Sequence, residues 1–320
     1  MPKNHIYDLA HAHVDQPSVV TIGVFDGVHV GHQYLIRRVV EEAHARDMKA
    51  VVLTFFPHPD IVIRGLEGRY YLTTPEQRAE QLLKLGVDVV VTQTFDDSIR
   101  HVRAEDFVDR LLKHLNMKVL RVGADFAMGY QREGNVPFLT ALGVEKAFTV
   151  EPIELVQSEN NAEVISSSRI REALDAGDMA QVRAYLGRGY ALGGEVIHGK
   201  KRGRSIGFPT ANIDVWSEQI IPRNGVYAGW AYLGEDRSPE NRLMAMTNIG
   251  ISPTFMNSDI TVEAYLLDFD RDIYGQNLTI TFEKYLRPEA KFDGLDALIA
   301  QIGQDVDDGR AYLQTLETAR

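Results

Sequence analysis

The run Val20-Thr21-Ile22-Gly23-Val24-Phe25-Asp26-Gly27-Val28-His29-Val30-Gly31-His32 constrains the fold more than any other stretch of the chain. It reads as a buried strand ending in a glycine-rich turn, with two histidines on either side of a glycine and a helix behind them. A helix N-terminus offers free N–H groups and a partial positive charge, so this arrangement collects the triphosphate of a nucleotide. Glycines let the backbone approach phosphates without a Cβ clash. The imidazoles of His29 and His32 would donate hydrogen bonds to phosphate oxygens as charge builds there. The plainer reading is two surface histidines at a helix start. The buried strand in front of the turn, and the hydroxyls and guanidinium groups of Ser166-Ser167-Ser168-Arg169-Ile170-Arg171 at another helix start, favour the phosphate reading. The forked donors of Arg171 suit a triphosphate.

The first half of the chain alternates strand and helix patterns. Ser18 to Phe25, Ala50 to Phe56, Val87 to Val91 and Lys118 to Val122 are apolar runs. Between them lie helical spacings over Gly31–Arg46 and Ala104–Leu115. Thr74-Pro75-Glu76-Gln77 reads as an N-cap, a first-turn proline and a polar third residue, opening a helix that stops near Gly86. Such alternation predicts a parallel sheet covered on both faces, with ligands at the carboxyl ends of its strands. Phe55-Phe56-Pro57-His58-Pro59 and Gly123-Ala124-Asp125-Phe126 both follow strands. Both would face that cleft, with Asp125 placed to hold a ribose or base. Short helices are expected up to Gly177 and over Met179–Leu186, and Gly187-Arg188-Gly189 is the expected domain junction.

From Tyr190 to about Leu286 the pattern changes to short β-rich segments separated by Gly, Pro, Asn and Asp, which predicts an antiparallel barrel. A helix is expected from Gly294 to about Leu313, with Leu295, Leu298, Ile299, Ile302 and Val306 along one side. The barrel region opens with a glycine-rich basic loop, Gly193 to Arg204, running into Gly207-Phe208-Pro209-Thr210-Ala211-Asn212. Such a loop folds over phosphates. Thr210 and Asn212 alternate along an extended segment and offer hard oxygens suited to Mg²⁺ shared with ATP. Glu263 lies in a half-buried strand pattern. Facing a cavity it would be a general base, facing solvent a surface carboxylate, and parity leaves both open.

Composition narrows the classes. The 320 residues are 44% hydrophobic and 25% charged, enough for two cores. A net charge of −11 counts against a general nucleic-acid binder. The absence of cysteine excludes disulfides, thiolate catalysis and Cys-ligated metals, and fits a cytoplasmic protein. The N-terminus lacks the apolar core of a signal peptide, and no apolar stretch is long enough to span a membrane.

Taken in order, the His-x-Gly-His turn, Phe56-Pro57-His58-Pro59, Gly123-Ala124-Asp125-Phe126 and Ile165-Ser166-Ser167-Ser168-Arg169-Ile170-Arg171 resemble the adenylyltransferase module of the bacterial bifunctional riboflavin kinase/FAD synthetase family. Some members carry Asn where this chain has Asp125, and Thr where it has Ser168. Gly207 to Asn212, Asn224 to Gly229, Asn248 to Phe255, Val262-Glu263 and Asp272 to Gly275 look like the riboflavin kinase module. The resemblance covers nearly the whole chain. It implies an α/β fold: a Rossmann-like nucleotidyltransferase domain over residues 1–186, then a six-stranded antiparallel β-barrel with terminal helices over 187–320.

It also implies sites. Gly23, Phe25, Asp26, Gly31, Pro57, His58, Asp125, Ser166, Ser167 and Ser168 would bind ATP or flavin in the first module, with His29, His32 and Arg171 catalytic. Gly199, Gly203, Arg204, Gly207, Pro209 and Asn248 would do so in the second, where Glu263 becomes the base and Thr210 and Asn212 the Mg²⁺ ligands. The substrates implied are ATP, riboflavin and FMN, and the products FMN and FAD. Three alternatives stay open at this point. A pantetheine-phosphate or nicotinate-nucleotide adenylyltransferase would share the first half but leave the barrel unused. An aminoacyl-tRNA synthetase shares the histidine turn, against the acidic charge. A flavin-binding or regulatory member would have one silent site.

Overall fold

The computed structural model describes residues 4–153, 165–199, 203, 206–234, 236–253 and 258–318. It divides into two compact units, residues 1–167 and 168–320.

The first unit is built on β1 (His5–Tyr7), β2 (Ser18–Ile22), β3 (Lys49–Phe56), β4 (Val89–Thr94), β5 (Met117–Gly123) and β8 (Thr149–Ile153). These pair in the order β1-β4-β3-β2-β5-β8, and every pairing is parallel. The helices are α1 (Val30–Ala45), α2 (Pro59–Arg64), α3 (Pro75–Lys84), α4 (Asp97–Arg100), α5 (Ala104–Leu115) and α6 (Val136–Lys146). A two-stranded ribbon, β6 (Ala127–Met128) with β7 (Gly134–Asn135), follows β5. Side chains alternate across the sheet. Val20, Val51 and Leu53 pack with α5, while Val19, Ala50 and Val52 face the opposite layer with α1 and α3. Both faces are therefore apolar, as a covered parallel sheet requires. The strand order reverses at β2. A crevice opens at such a switch point, and the histidine turn leaves β2 there.

The helix expected from Thr74 forms with a reciprocal capping box: Gln77 N–H donates to Thr74 Oγ1 at 3.2 Å, and Thr74 N–H to Gln77 Oε1 at 3.1 Å. The strand expected over Val87–Val91 instead runs Val89–Thr94. Polar Thr92 and Gln93 end the apolar run in the sequence, but the fold satisfies them. Thr92 Oγ1 bonds the His5 ring at 2.8 Å, and Gln93 bridges the Leu9 N–H and the Asp8 carboxylate.

The second unit holds α7 (Ser167–Ala176), α8 (Met179–Leu186), β9 (Tyr190–Ile197), β10 (Thr210–Val215), β11 (Gly225–Leu233), β12 (Arg242–Pro253), β13 (Ser258–Leu266), β14 (Asn277–Arg287) and α9 (Leu295–Thr318). Its strands close into a barrel in the order β10-β13-β12-β11-β14-β9, all antiparallel. Closure leaves no free edge. Helices α7 and α8, upstream of Gly187, pack with this barrel: Arg223 N–H donates to Leu174 O at 3.0 Å, and Arg183 pairs with the buried Glu283 of β14.

The apolar stripe of α9 does not behave as one core-facing side. Leu313, with Val306 and Leu316, packs on Ala228, Trp230 and Met246. Leu295 is 57% exposed, and Leu298 and Ile302 line a cavity instead.

Candidate active sites

In the first unit the histidine turn is held from several sides. Phe25, Gly27 and Val28 take positive φ values of 52°, 79° and 40°. Two of these are not glycine, so the turn stores strain that the surroundings must hold. The Phe25 ring lies over Gly23, where a Cβ would come within 2.8 Å of it. Val28 N–H closes the turn onto Phe25 O at 3.0 Å.

Asp26 has a different use from the nucleotide contact expected of it. It is 1% exposed, and its carboxylate accepts the N–H groups of Leu72 (3.0 Å) and Thr73 (3.2 Å) and the Thr73 hydroxyl (3.3 Å). Its carbonyl accepts from Ser167 Oγ at 2.9 Å, which ties the serine motif to the turn. Asp26 is thus an anchor.

The histidines are not surface residues. His29 is 6% exposed and N-caps α1, its Nδ1 accepting from His32 N–H at 3.2 Å. That bond assigns the His29 proton to Nε2. The His29 and His32 rings stack with centroids 3.5 Å apart and planes 18° apart. The His32 imidazole is pushed well below the ordinary histidine range, first by burial, then by His29 and Arg78. Its Nδ1 has no hydrogen-bond partner among the described residues. Gly31 leaves room for the His29 ring, which a Cβ would meet at 3.2 Å.

Beside the turn lies a cavity of about 680 Å³, a size typical of ligand sites. Gly23, Val24, Phe55, His58, Pro59 and Phe126 all line it. Neither His29 nor His32 is part of that lining. The Phe56–Pro57 peptide is cis. His58 N-caps α2 through Nδ1 and donates its own N–H to Tyr71 Oη at 2.8 Å. Asp125 is exposed and outside the wall, while its neighbour Phe126 is in it. The sequence reading missed Phe95, Arg100, Tyr130 and Arg132, which also line the cavity. Phe95 directly follows β4, and the rule of strand carboxyl ends would have found it. Ser166 is half-buried; Ser168, exposed, and Arg171, half-buried, lie on α7 in the second unit.

In the barrel, register brings the expected residues together. Glu263 on β13 sits opposite Asn212 of β10 on one side and Asn248 of β12 on the other. Thr210 Oγ1 donates to Glu263 Oε2 at 3.2 Å. Two cavities meet at Thr210 and Gly203. One, about 420 Å³, is lined by Glu263, Asn248, Tyr265, Phe292, Leu298 and Ile302. The other, about 250 Å³, is lined by Pro209, Ala211, Ile273 and Tyr274, among others. The open parity of Glu263 is thereby resolved toward the cavity. Gly199 lies against the Asn212 amide, so close that a Cβ would collide with it. Gly207 has φ +88°. Arg204 and the neighbouring Lys200, Lys201 and Arg202 lie outside the described residues.

The Thr210 hydroxyl points its proton at Glu263, leaving its lone pairs free for a cation. With the Asn212 amide oxygen this is a hard, oxygen-only donor set, which fits Mg²⁺.

Fold and sites together define a two-part protein with separate ligand cavities in a nucleotide-type α/β unit and in a closed barrel. Comparison with known families agrees part by part. The family model for FAD synthetase matches residues 11–169, and that for riboflavin kinase matches residues 186–313. The bifunctional riboflavin kinase/FMN adenylyltransferase of Listeria monocytogenes is 37% identical over 306 residues, 95% of each chain. The enzyme of the same name from Escherichia coli K12 is 36% identical over 94% of each chain, and that from Bacillus subtilis 34% over 93%. The chain belongs to the bifunctional riboflavin kinase/FMN adenylyltransferase family. With that membership come its two activities, and the rival adenylyltransferases, which leave the barrel unused, fall away.

A solved structure described as a macrolide-efflux protein from Streptococcus pneumoniae superposes with a TM-score of 0.80 at 28% identity, covering 96% of this chain and 99% of that one. It supports the fold. No described helix of this chain is long and apolar enough to cross a membrane.

Proposed function

We propose that residues 1–186 adenylylate FMN and residues 187–320 phosphorylate riboflavin. The functional boundary follows the resemblance, in which the serine motif and Arg171 belong to the adenylyltransferase module.

In the kinase, Glu263 takes the proton from the ribityl 5′-hydroxyl of riboflavin. The freed oxygen attacks the γ-phosphorus of ATP, and ADP leaves. Riboflavin occupies the larger barrel cavity, against Phe292 and Leu298, and ATP the smaller, lined by Gly203 and Pro209, with Gly199, Arg204 and Gly207 of the same sequence segment contributing to its binding. Thr210 and Asn212 would hold Mg²⁺, which supplies charge neutralisation between the transferring phosphates. Asn248 flanks Glu263 and orients the hydroxyl. Glu263 is suited to this role because its neighbours in the register, Asn212 and Asn248, are neutral and leave the carboxylate as the base.

In the first unit, a phosphate oxygen of FMN attacks the α-phosphorus of a second ATP, forming FAD and releasing pyrophosphate. His29 donates from Nε2 to the triphosphate. His32, a neutral imidazole by virtue of its burial, stabilises charge on the triphosphate as a hydrogen-bond donor. Arg171 neutralises the triphosphate, and Ser166 and Ser168 bind it. Gly23, Pro57 and His58 shape the cavity that receives flavin, and Asp125 contacts the nucleotide at its edge. Phe25, Asp26, Gly31 and Ser167 hold the turn in place. No protein nucleophile is required, in keeping with the absence of cysteine.

The observation that carries this reading is Glu263, hydrogen-bonded to Thr210 where two barrel cavities meet. The test incubates the protein with riboflavin, ATP and Mg²⁺ and separates the flavins over time. FMN appearing first and FAD after it supports both assignments. FMN alone would leave the first unit without its proposed activity. A cytoplasmic enzyme of small substrates, with no nucleic-acid partner, fits the acidic, cysteine-free chain.

A further inference from the structure

Arg78, near the start of α3, heads the fully buried side chains by volume and is 0% exposed. Its Nη1 donates to the carbonyl of Val24 (2.6 Å), to Thr54 Oγ1 (3.1 Å) and to the carbonyl of Phe55 (3.2 Å). Thr54 Oγ1 in turn donates to Val24 O at 2.8 Å. One nitrogen therefore ties the end of β2 to the end of β3. Val24 belongs to the histidine turn, and Phe55 leads into the Pro57-His58 loop. Both residues line the 680 Å³ cavity, side by side at the ends of neighbouring strands.

The rest of the guanidinium is unused: Nε and Nη2 have no hydrogen-bond partner among the described residues. Burial pushes Arg78 below the ordinary arginine range, and the charge of Asp26 opposes that shift. Burying a cation with two idle donor nitrogens is an unfavourable way to stabilise a fold. Apolar replacements of buried charges are often neutral or stabilising. The arrangement makes sense where the position of two carbonyls matters more than stability.

We propose that Arg78 is a positioning residue for adenylyl transfer: through the Val24 and Phe55 carbonyls it fixes the spacing of the two strand ends that line the first cavity. It acts on the alignment of the substrates and is not itself a catalytic group. Because only Nη1 is bonded, a lysine ammonium, one bond shorter, keeps a charged donor directed at the same three oxygens. The fork that usually makes arginine irreplaceable has no role here.

The inference rests on the first unit being the seat of FAD formation, which the unsubstituted protein tests separately with FMN and ATP. The variants are Arg78→Met, Arg78→Lys and Thr54→Val in the full chain. Each is assayed for KM and kcat of FAD formation, for riboflavin kinase activity, and for thermal unfolding. Displacing reacting groups by about 1 Å costs roughly 100-fold in rate. Arg78→Met is accordingly expected to lose about that factor in kcat/KM, with KM for FMN raised and kinase activity unchanged. Arg78→Lys is expected to fall between the unsubstituted protein and Arg78→Met, since it keeps a cationic donor but one bond short of the Nη1 position. A merely structural role would reduce the amount of folded enzyme and leave KM where it was. Wild-type KM in Arg78→Met, or an Arg78→Lys that folds but is as impaired as Arg78→Met, overturns the proposal. Should Arg78→Met fail to fold, Thr54→Val decides, since it removes one of the three oxygens and keeps the shape. A raised KM for FMN supports the tie, and an unchanged one overturns it.

Discussion

Glu263 and His32 show how single positions can be tested apart from the fold. Glu263 accepts a hydrogen bond from Thr210 and lines the larger barrel cavity. Glu263→Gln keeps the shape and removes the base. Removing a general base typically costs about 10²–10⁴ in rate, so riboflavin phosphorylation should fall by that order while FAD formation from added FMN continues. Loss of both in a folded variant would contradict separate sites. His32 makes a pH prediction. Its imidazole titrates well below the ordinary 6.5 because of burial, His29 and Arg78. Below that ordinary value the unfolded chain binds a proton that the folded chain refuses. Stability of the first unit should therefore fall as pH drops below about 6.5. His5, pushed down by burial, shares the window. Thermal unfolding of wild type and His32→Gln, followed from about pH 7.5 to about pH 5.5, should show a shallower loss in the variant. Parallel curves would remove His32 from the effect.

On the scale of elements, α9 does two jobs with one apolar stripe. Leu313 is fully buried against Trp230 and Met246, whereas Leu298 is half-buried and lines the cavity that holds Glu263. Leu313→Ala should destabilise the second unit by about 2–5 kcal/mol, read by denaturant unfolding, with KM for riboflavin nearly unchanged. Leu298→Asp should do the opposite, raising that KM with little change in unfolding. Sequence periodicity recovered α9, but periodicity marks what avoids water and does not distinguish core from ligand cavity. The same limit explains β4, whose polar end is satisfied by partners remote in sequence. The sequence carried the histidine turn, α3 and Thr210-Ala211-Asn212 because their chemistry is local. Register, which seats Glu263 between two asparagines, is a tertiary fact. The anchoring use of Asp26 is tertiary too: its partners at Leu72 and Thr73 are 46 and 47 residues away.

For the whole molecule, the product of one unit is the substrate of the other, and each unit has its own core and its own cavities. Nothing in the chemistry of either step requires the two sites to lie in the same chain. FMN carries a charged phosphate and is soluble, so it can leave one chain and enter another. This makes a mixing experiment decisive. One preparation carries Glu263→Gln and has no working kinase. The other carries His29→Asn with His32→Ala. Asparagine is a good N-cap, so the start of α1 is preserved while the Nε2 donor is withdrawn. Loss of donors of this kind costs about 10²–10³ in rate. Supplied with riboflavin and ATP, neither preparation alone should make appreciable FAD, and the mixture should. FAD should appear after a lag during which FMN accumulates, and dilution should lengthen that lag because the intermediate must diffuse between chains. A mixture that makes FMN but no FAD, although the Glu263→Gln chain converts added FMN, would show that FMN made by one chain is not released to another.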